Sequence, residues 1–370
     1  MLLAIHLLGG FFLLLLLLPA LYVIVLKVIP AKSMSFRDQN YSPFISVIIP
    51  AHNEEDSIVS KIDSIFQQSY PEDKMEIIVV DDGSTDNTLT FLKKYGNRIR
   101  VRRLFPGKGK IAALNLGLEE ARADIIVITD ADTELEKGAL LALILPLQDP
   151  ALGAISGRLK IKGEGKSASY ERAYVEAEHG FRKKESLVSS VPFLFGQLSA
   201  FKKEAISQIQ AGAAVDDIEI ALTIKEQGLK VIHSEAAVVY ETAPGSLMGL
   251  LNQKVRRGLC TIEVVLRHLN LLHFRSGLFA LTFFVRRVLP LFLPLLITAC
   301  YLYLWFLSGY WWAPVVLFGG LGIASWLRNR HLTEYMILMQ VTICKSWWLY
   351  LNHKIPSGAN WKSSGPDSTL

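Results

Sequence analysis

Residues 44–55 read Phe44-Ile45-Ser46-Val47-Ile48-Ile49-Pro50-Ala51-His52-Asn53-Glu54-Glu55, an apolar run that ends at a proline and then turns acidic. A short, nearly continuous apolar run bounded by turn residues is the pattern of a strand buried on both faces. Residues 54–68 then follow a helical pattern behind Asn53, a candidate N-cap. The alternation repeats outward from there. Residues 75–80 read as a strand ending at Asp81-Asp82-Gly83-Ser84, 86–94 as a helix, 99–104 as a strand and 111–122 as a helix. Residues 125–129 form a fourth strand that stops at Asp130. Strands alternating with helices predict an α/β domain whose parallel sheet is covered on both faces. Such sheets bind ligands at the carboxyl ends of their strands. Acids stand there in this chain: Asn53-Glu54-Glu55, Asp81-Asp82 and Asp130-Ala131-Asp132.

A second half of different texture completes the domain, taken as 40–245. It reads as a strand over 153–161, a long helix over 167–187, and a loop or strand over 192–201 holding Gly196-Gln197. A helix over 217–227 and a closing strand over 229–240 follow.

The chain is 51% hydrophobic and 20% charged over 370 residues, and the apolar excess is concentrated at 2–26 and 278–351. Residues 2–26 carry no Asp, Glu, Lys or Arg and are long enough to cross a bilayer. No basic residue precedes them and no small-residue cleavage pattern closes them, so an uncleaved anchor is expected over 1–30. Lys27, Lys32 and Arg37 follow, which places the trailing side in the cytoplasm and the N-terminus outside. The second block starts after Arg286 and Arg287, a basic pair suited to the cytoplasmic interface. Residues 288–307 can span, Tyr310, Trp311 and Trp312 form an aromatic belt, and 313–327 can return to Arg328, Arg330 and His331. Residues 332–351, with Glu334, Gln340 and Lys345, either span or lie in the interface. Two or three transmembrane helices are therefore expected over 278–355. Residues 246–275 mix Lys254, Arg256, Arg257, Arg267 and His268 with apolar residues, the pattern of an amphipathic helix on the membrane surface. Residues 356–370, rich in Ser and Gly, read as a disordered tail. The net charge of +5 is modest and asks for no nucleic-acid partner. Cys260, Cys300 and Cys344 are dispersed, without metal-ligand or redox spacing.

A dinucleotide fold would put a glycine-rich turn after its first strand. Here Pro50-Ala51-His52-Asn53-Glu54-Glu55 occupies that place. If a diphosphate binds, its charge must be offset otherwise, and Asp130-x-Asp132 suits Mg²⁺ or Mn²⁺, which share one or two carboxylates with substrate phosphates. Such a cation would act as a Lewis acid on the departing diphosphate. A solvated turn after a strand is the plain structural alternative for these acids.

Four segments occur in order: Pro50-x-x-Asn53-Glu54-Glu55, Val80-Asp81-Asp82-Gly83-Ser84-x-Asp86, Lys110-x-x-x-Leu114-Asn115-x-Gly117 and Asp130-Ala131-Asp132. In combination they resemble glycosyltransferase family 2, inverting enzymes with a nucleotide-sugar-binding α/β fold called GT-A. The likeness covers about residues 44–260 and continues through Gly196-Gln197-x-Ser199-Ala200-Phe201, Asp216-Asp217 and Gln253-x-x-Arg256-Arg257. The last resembles the Gln-x-x-Arg-Trp motif of the membrane-bound members, with Arg257 where they carry Trp. The resemblance implies a nucleoside contact for Ala51, Glu54 and Asp82, with Asp82 nearest the base. It implies that Lys110 meets the diphosphate, Asp130 faces ribose or diphosphate, and Asp132 holds Mg²⁺ or Mn²⁺. Asp217 would be the general base, with Asp216 the competing choice. Gly196 and Gln197 would stand on the acceptor side, and Gln253, Arg256 and Arg257 at the diphosphate or the acceptor. For the arginines, contact with lipid headgroups is the alternative.

The expected activity is transfer of a sugar from a nucleotide-diphosphate sugar, with a lean to UDP, onto a lipid-linked or membrane-associated acceptor at the cytoplasmic face. A processive polysaccharide synthase is one alternative, disfavoured by the missing Trp. A non-catalytic nucleotide-sugar-binding membrane scaffold is the other.

Overall fold

The computed structural model describes residues 2–30, 38–210 and 215–352. Chain order begins α1 (Leu2–Val28), β1 (Ile45–Ala51), α2 (Ile58–Phe66), β2 (Met75–Asp81), α3 (Thr88–Leu92), β3 (Arg100–Arg103), α4 (Lys110–Glu120) and β4 (Ile125–Ile128). Next come β5 (Thr133–Leu135), α5 (Ala139–Ile144), β6 (Leu152–Lys162), α6 (Gly165–Val188), β7 (Ser199–Lys202), α7 (Asp216–Glu226) and β8 (Lys230–Thr242). Helices α8 (Leu247–Arg267), α9 (Leu278–Phe283), α10 (Leu289–Ser308), α11 (Trp312–Arg328) and α12 (Arg330–Leu351) follow.

The eight strands form one sheet in the order β3-β2-β1-β4-β7-β6-β8-β5. Every residue of β1 is buried, which is why its sequence is apolar without alternation. Ile45, Val47 and Ile49 enter the core layer under α2 and α5, while Ile48 enters the layer under α4. Gly117 of α4 faces Ile48 so closely that a Cβ would lie 2.4 Å from its side chain. A glycine there lets the helix sit directly on the sheet.

The expected parallel pairing holds for β3-β2-β1-β4. The second half departs from it: β7 runs antiparallel to both β4 and β6, and β5 runs antiparallel to β8. Residues 133–144 form β5 and α5, neither of which the hydrophobic pattern marked.

Among the described residues, two helical stretches are long and apolar enough to cross a membrane, Gly9–Val28 and Leu278–Ser308. They pack on each other, and the ring of Tyr303 occupies the place a side chain at Gly9 would need. Helix α11 is shorter. Helix α12 is fastened along one face to the α/β domain. Tyr335 stacks on Tyr174 of α6 at 4.9 Å, Tyr170 donates to Glu334 at 2.6 Å, and Ser346 Oγ donates to the Val255 carbonyl of α8 at 3.0 Å.

Two expectations about basic residues are corrected. Arg286 and Arg287 do not form an outward interfacial pair. A π-turn over Phe284–Val288 turns them into the protein, where Arg286 pairs with Glu178 at 2.6 Å and with Glu185 at 3.0 Å. Burial of its partners on α6 draws Arg286 in, because an unpaired buried carboxylate is costly. Likewise α8 does not present its cations to headgroups. Lys254 pairs with Glu171 at 2.9 Å and Arg267 with Glu219 at 2.9 Å. Lys32, Arg37 and the tail over 356–370 lie outside the described residues.

Candidate active site

The acids at the strand ends are positioned by a network of turns. Asn53 adopts φ of 55°, a left-handed conformation that Asn tolerates better than most residues. Its amide oxygen accepts from Thr85 N–H at 2.8 Å, and Glu54 N–H donates to Thr88 Oγ1 at 2.8 Å. The loops after β1 and β2 are thereby laced together, with Glu54 buried between them. Asp82 accepts from the N–H groups of Lys108 and Gly109 at 2.6 and 2.8 Å, fixing the segment that leads into α4. Gly107 lies against Asp82, where a Cβ would stand 2.5 Å from its carbonyl oxygen.

That segment delivers Lys110 as the first residue of α4. Its ammonium contacts Asp130 at 2.8 Å and Asp216 at 3.4 Å. Burial alone would lower its pKa, but Asp130 and Asp216 outweigh it and raise it. Lys110 is therefore a fixed positive charge. Beneath the Asp130–Asp132 turn, buried Lys61 donates to Thr129 Oγ1 at 2.5 Å and Thr133 Oγ1 at 2.9 Å. Its two bonds bracket the turn.

From the other half, the segment before β7 brings Gly196 against Lys110, Asp216 and Asp217, with atoms of all three within 3.9 Å of where its Cβ would be. The Gln197 side-chain amide donates to Glu241 at 2.9 Å, and the Gln197 backbone carbonyl accepts from Thr129 Oγ1 at 2.7 Å. Asp217 is the second residue of helix α7. Burial and its neighbour Asp216 push its carboxyl up to about 6, against the opposing charges of Arg257, Arg287 and Lys110. A carboxyl that loses its proton near neutrality suits general-base work.

Glu54, Lys110, Asp130, Asp132, Gly196, Gln197, Asp216, Asp217, Gln253, Arg256 and Arg257 all line one cavity of about 1930 Å³. Ala51 and Asp82 do not reach its wall: Ala51 is buried in the sheet, and both Asp82 oxygens are engaged by the 108–109 backbone. Glu241 was not singled out from the sequence. It lines the cavity too, and the strand-end rule that found the other acids finds it, one residue beyond the expected end of β8.

Burial, then Asp132, pushes Glu54 up to about 8 and Glu241 up to about 7. So many carboxylates in one volume is an arrangement that a divalent cation with oxygen ligands would relieve. Among the described residues no group of three His, Cys, Asp or Glu forms a ready-made metal cage. That suits a cation held by one or two carboxylates and completed by phosphate and water, the usual habit of Mg²⁺.

A half-parallel nucleotide-type sheet, acids at its strand ends and an acid pair across the cleft are the arrangement of a GT-A fold. Residues 46–210 match the model of Glycosyl transferase family 2. That match spans a little under half of the chain, and over it the chain is similar to that family. It is 29% identical over 243 residues to the Probable glycosyltransferase YdaM of Bacillus subtilis (strain 168), covering 61% of this chain and 57% of that protein. It is 29% identical over 233 residues to the Poly-beta-1,6-N-acetyl-D-glucosamine synthase of Staphylococcus aureus (strain MSSA476), covering 60% and 56%. The chain thus spans little more than half the length of these relatives. A solved mannosyltransferase, PcManGT from Pyrobaculum calidifontis in complex with GDP-Man and Mn²⁺, superimposes with a TM-score of 0.73 at 25% identity. That likeness covers 94% of this chain and 99% of the other, so it includes the apolar helices.

Proposed function

We propose that the enzyme transfers a sugar from a nucleotide-diphosphate sugar to a lipid-linked or membrane-associated hydroxyl acceptor, by single displacement with inversion at the anomeric carbon. One observation carries the proposal. The cavity that holds the acids is also walled by Pro19 and Val23 of α1 and by Leu289 and Leu293 of α10. A donor site built from charge is thereby continuous with an apolar space on helices long enough to span a bilayer.

In the proposed mechanism, the donor's diphosphate lies between Lys110 and the Gln253–Arg256–Arg257 turn of α8. Arg256 and Arg257 face the cavity and enter no ion pair among the described residues. Asp132 would hold Mg²⁺ or Mn²⁺, which supplies charge neutralisation to the leaving diphosphate when bound. Asp217 takes the proton of the acceptor hydroxyl as its oxygen bonds to the anomeric carbon. The bond from that carbon to the diphosphate breaks, and its electron pair leaves with the nucleoside diphosphate. Asp216, held by Lys110, raises the basicity of Asp217 through its charge. Glu54 borders the nucleoside end. The catalytic domain and the trailing end of α1 lie on the cytoplasmic side, as Lys27, Arg328 and Arg330 favour.

The test is to incubate the purified chain with UDP- and GDP-sugars and Mn²⁺ or Mg²⁺ and to detect released nucleoside diphosphate. Absence of release from every donor would reject the proposal. The observation favouring the polymerising alternative is the likeness to a polysaccharide synthase. Product sizing separates the two, since a ladder of lengths would exclude single addition.

A further inference from the structure

Lys61 stands where an apolar residue is expected. Helix α2 buries Ile58, Lys61, Ile62 and Ile65, the i, i+3, i+4, i+7 stripe that lays a helix on its sheet. The Lys61 side chain is fully buried. A buried ammonium is costly and is seldom kept without a carboxylate beside it. The partners of Lys61 are instead two hydroxyls, Thr129 and Thr133. Each hydroxyl commits its own proton elsewhere: Thr129 donates to the Gln197 carbonyl at 2.7 Å, and Thr133 donates to the Asp130 carbonyl at 2.9 Å. The Lys61 nitrogen is therefore the donor in both of its bonds.

The charges that favour this ammonium are Asp130, Asp132 and Glu134, in and just beyond the strand-end turn. Burial pulls Lys61 down to about 7, and these three acids oppose the fall. Lys110, the other cation at the turn, is placed differently. It contacts Asp130 and Asp216 from the cavity wall, so its side chain can turn toward a bound diphosphate. Lys61 does not line the cavity, and two hydroxyls fastened to the backbone hold it in place. It cannot withdraw when a second cation reaches the turn. In the empty protein its charge offsets the crowded acids. Toward a divalent cation at Asp132 the same charge is repulsive, and the protein interior screens it poorly.

We infer that Lys61 is the resident counter-ion of the Asp130–Asp132 turn, and that its fixed charge lets a divalent cation bind tightly only together with the donor's diphosphate. This rests on the reading proposed above, in which Asp132 holds the cation. The diphosphate carries enough negative charge to outweigh Lys61, and its departure restores the repulsion, so the turn returns to its empty state after each transfer. A neutral residue at position 61 would fit the apolar stripe and leave the acids of the turn unopposed, so the chain would retain the cation between turnovers.

The probe is Mn²⁺ itself, its binding to the full chain in nonionic detergent followed by electron paramagnetic resonance with and without UDP or GDP. Measurement at about pH 6 keeps the proton on Lys61. The wild-type chain is expected to bind Mn²⁺ weakly alone and about tenfold tighter or more with nucleotide. In Lys61→Met and Lys61→Gln the affinity without nucleotide should rise about tenfold or more, and the tightening by nucleotide should shrink by the same factor. Because coupling is reciprocal, the tightening of UDP or GDP by Mn²⁺ should shrink equally. Adding Asp132→Ala to either variant should abolish the gain, which places it at this turn. Variants that bind Mn²⁺ more weakly in both conditions would mean that Lys61 only props the turn, and would overturn the inference; unchanged affinity would do the same. The wild-type arm needs no variant to fold, and equal Mn²⁺ affinity with and without nucleotide there would also overturn it. Tighter Mn²⁺ binding by the variants of a chain that binds neither nucleotide would reject the transfer reaction and leave the opposition between Lys61 and the cation standing.

Discussion

Replacing Asp217 by Asn should make the protein both inactive and more stable, and the two effects have one cause. The Asp217 carboxyl is raised from its ordinary 3.8 to about 6, first by burial and then by Asp216. In the folded protein it therefore keeps its proton to a higher pH than in the unfolded chain. Stability falls as the pH rises from about 4 to about 6 and is level above that. The interval between the two values, at about 1.4 kcal/mol per pH unit, sets a cost of about 3 kcal/mol at pH 8, an upper bound because one side of Asp217 faces the cavity. At pH 5 about half of that cost is already present. Asn carries no charge, so the variant should gain stability at both values, and more at pH 8 than at pH 5 by on the order of 1 kcal/mol. As general base, Asp217 should contribute about 100- to 10,000-fold to turnover. In the wild type, kcat/KM should climb about tenfold per pH unit below pH 6 and then level. Nucleoside diphosphate release across pH 5–8, with melting of the detergent-solubilised chain at both ends of the range, measures all of this. An Asp217→Asn variant that turns over within threefold of wild type, or that is less stable at pH 8, would refute the assignment.

Asp132→Ala should lower turnover about 100-fold or more and flatten its dependence on added Mn²⁺ or Mg²⁺, read by titrating the metal after chelation. Arg257→Lys keeps the charge but loses the two-pronged contact, so kcat/KM for the donor should fall about tenfold while the fold melts normally. Lys254→Met should destabilise the chain by about 3 kcal/mol, because it leaves Glu171 buried without its partner, and Lys254→Met with Glu171→Leu should recover most of that loss. Thermal melts of the single and double variants would decide it, and equal loss in both would mean that the pair is incidental.

The nucleotide half was legible because its inner strands are buried on both faces, which leaves an uninterrupted apolar signature, whereas the edge strand β3, Arg100–Arg103, is partly exposed. β1, β2 and β4 carry that signature, and so do Asp130, Asp132 and the loops that face them. The second half was not read with the same clarity. Ser199–Lys202 is a four-residue strand within a run that also fits a loop, and no local pattern states that it runs antiparallel to both neighbours. β5 has three residues, too few for any periodicity. Glu241 escaped because the apolar stretch of β8 ends at Tyr240, although the ladder continues to Thr242 opposite Lys162. Asp82 was legible as a strand-end acid, but its engagement with the 108–109 backbone depends on a loop whose path only the fold defines.

The basic residues beside the apolar segments show where sequence reasoning about membranes is weakest. Lys254, Arg267 and Arg286 stand where anchors for anionic headgroups are expected, and all three are consumed by Glu171, Glu219 and Glu178 inside the molecule. A hydropathy plot does not distinguish a cation facing lipid phosphate from one facing a buried carboxylate, because both sit at the end of an apolar run. The distinction lies in the partner, and each partner is on α6 or α7, distant in sequence. Arg256, Arg257 and Arg287, by contrast, face the cavity and enter no ion pair among the described residues. Two come from the helix that follows the α/β domain and one from a membrane-length helix.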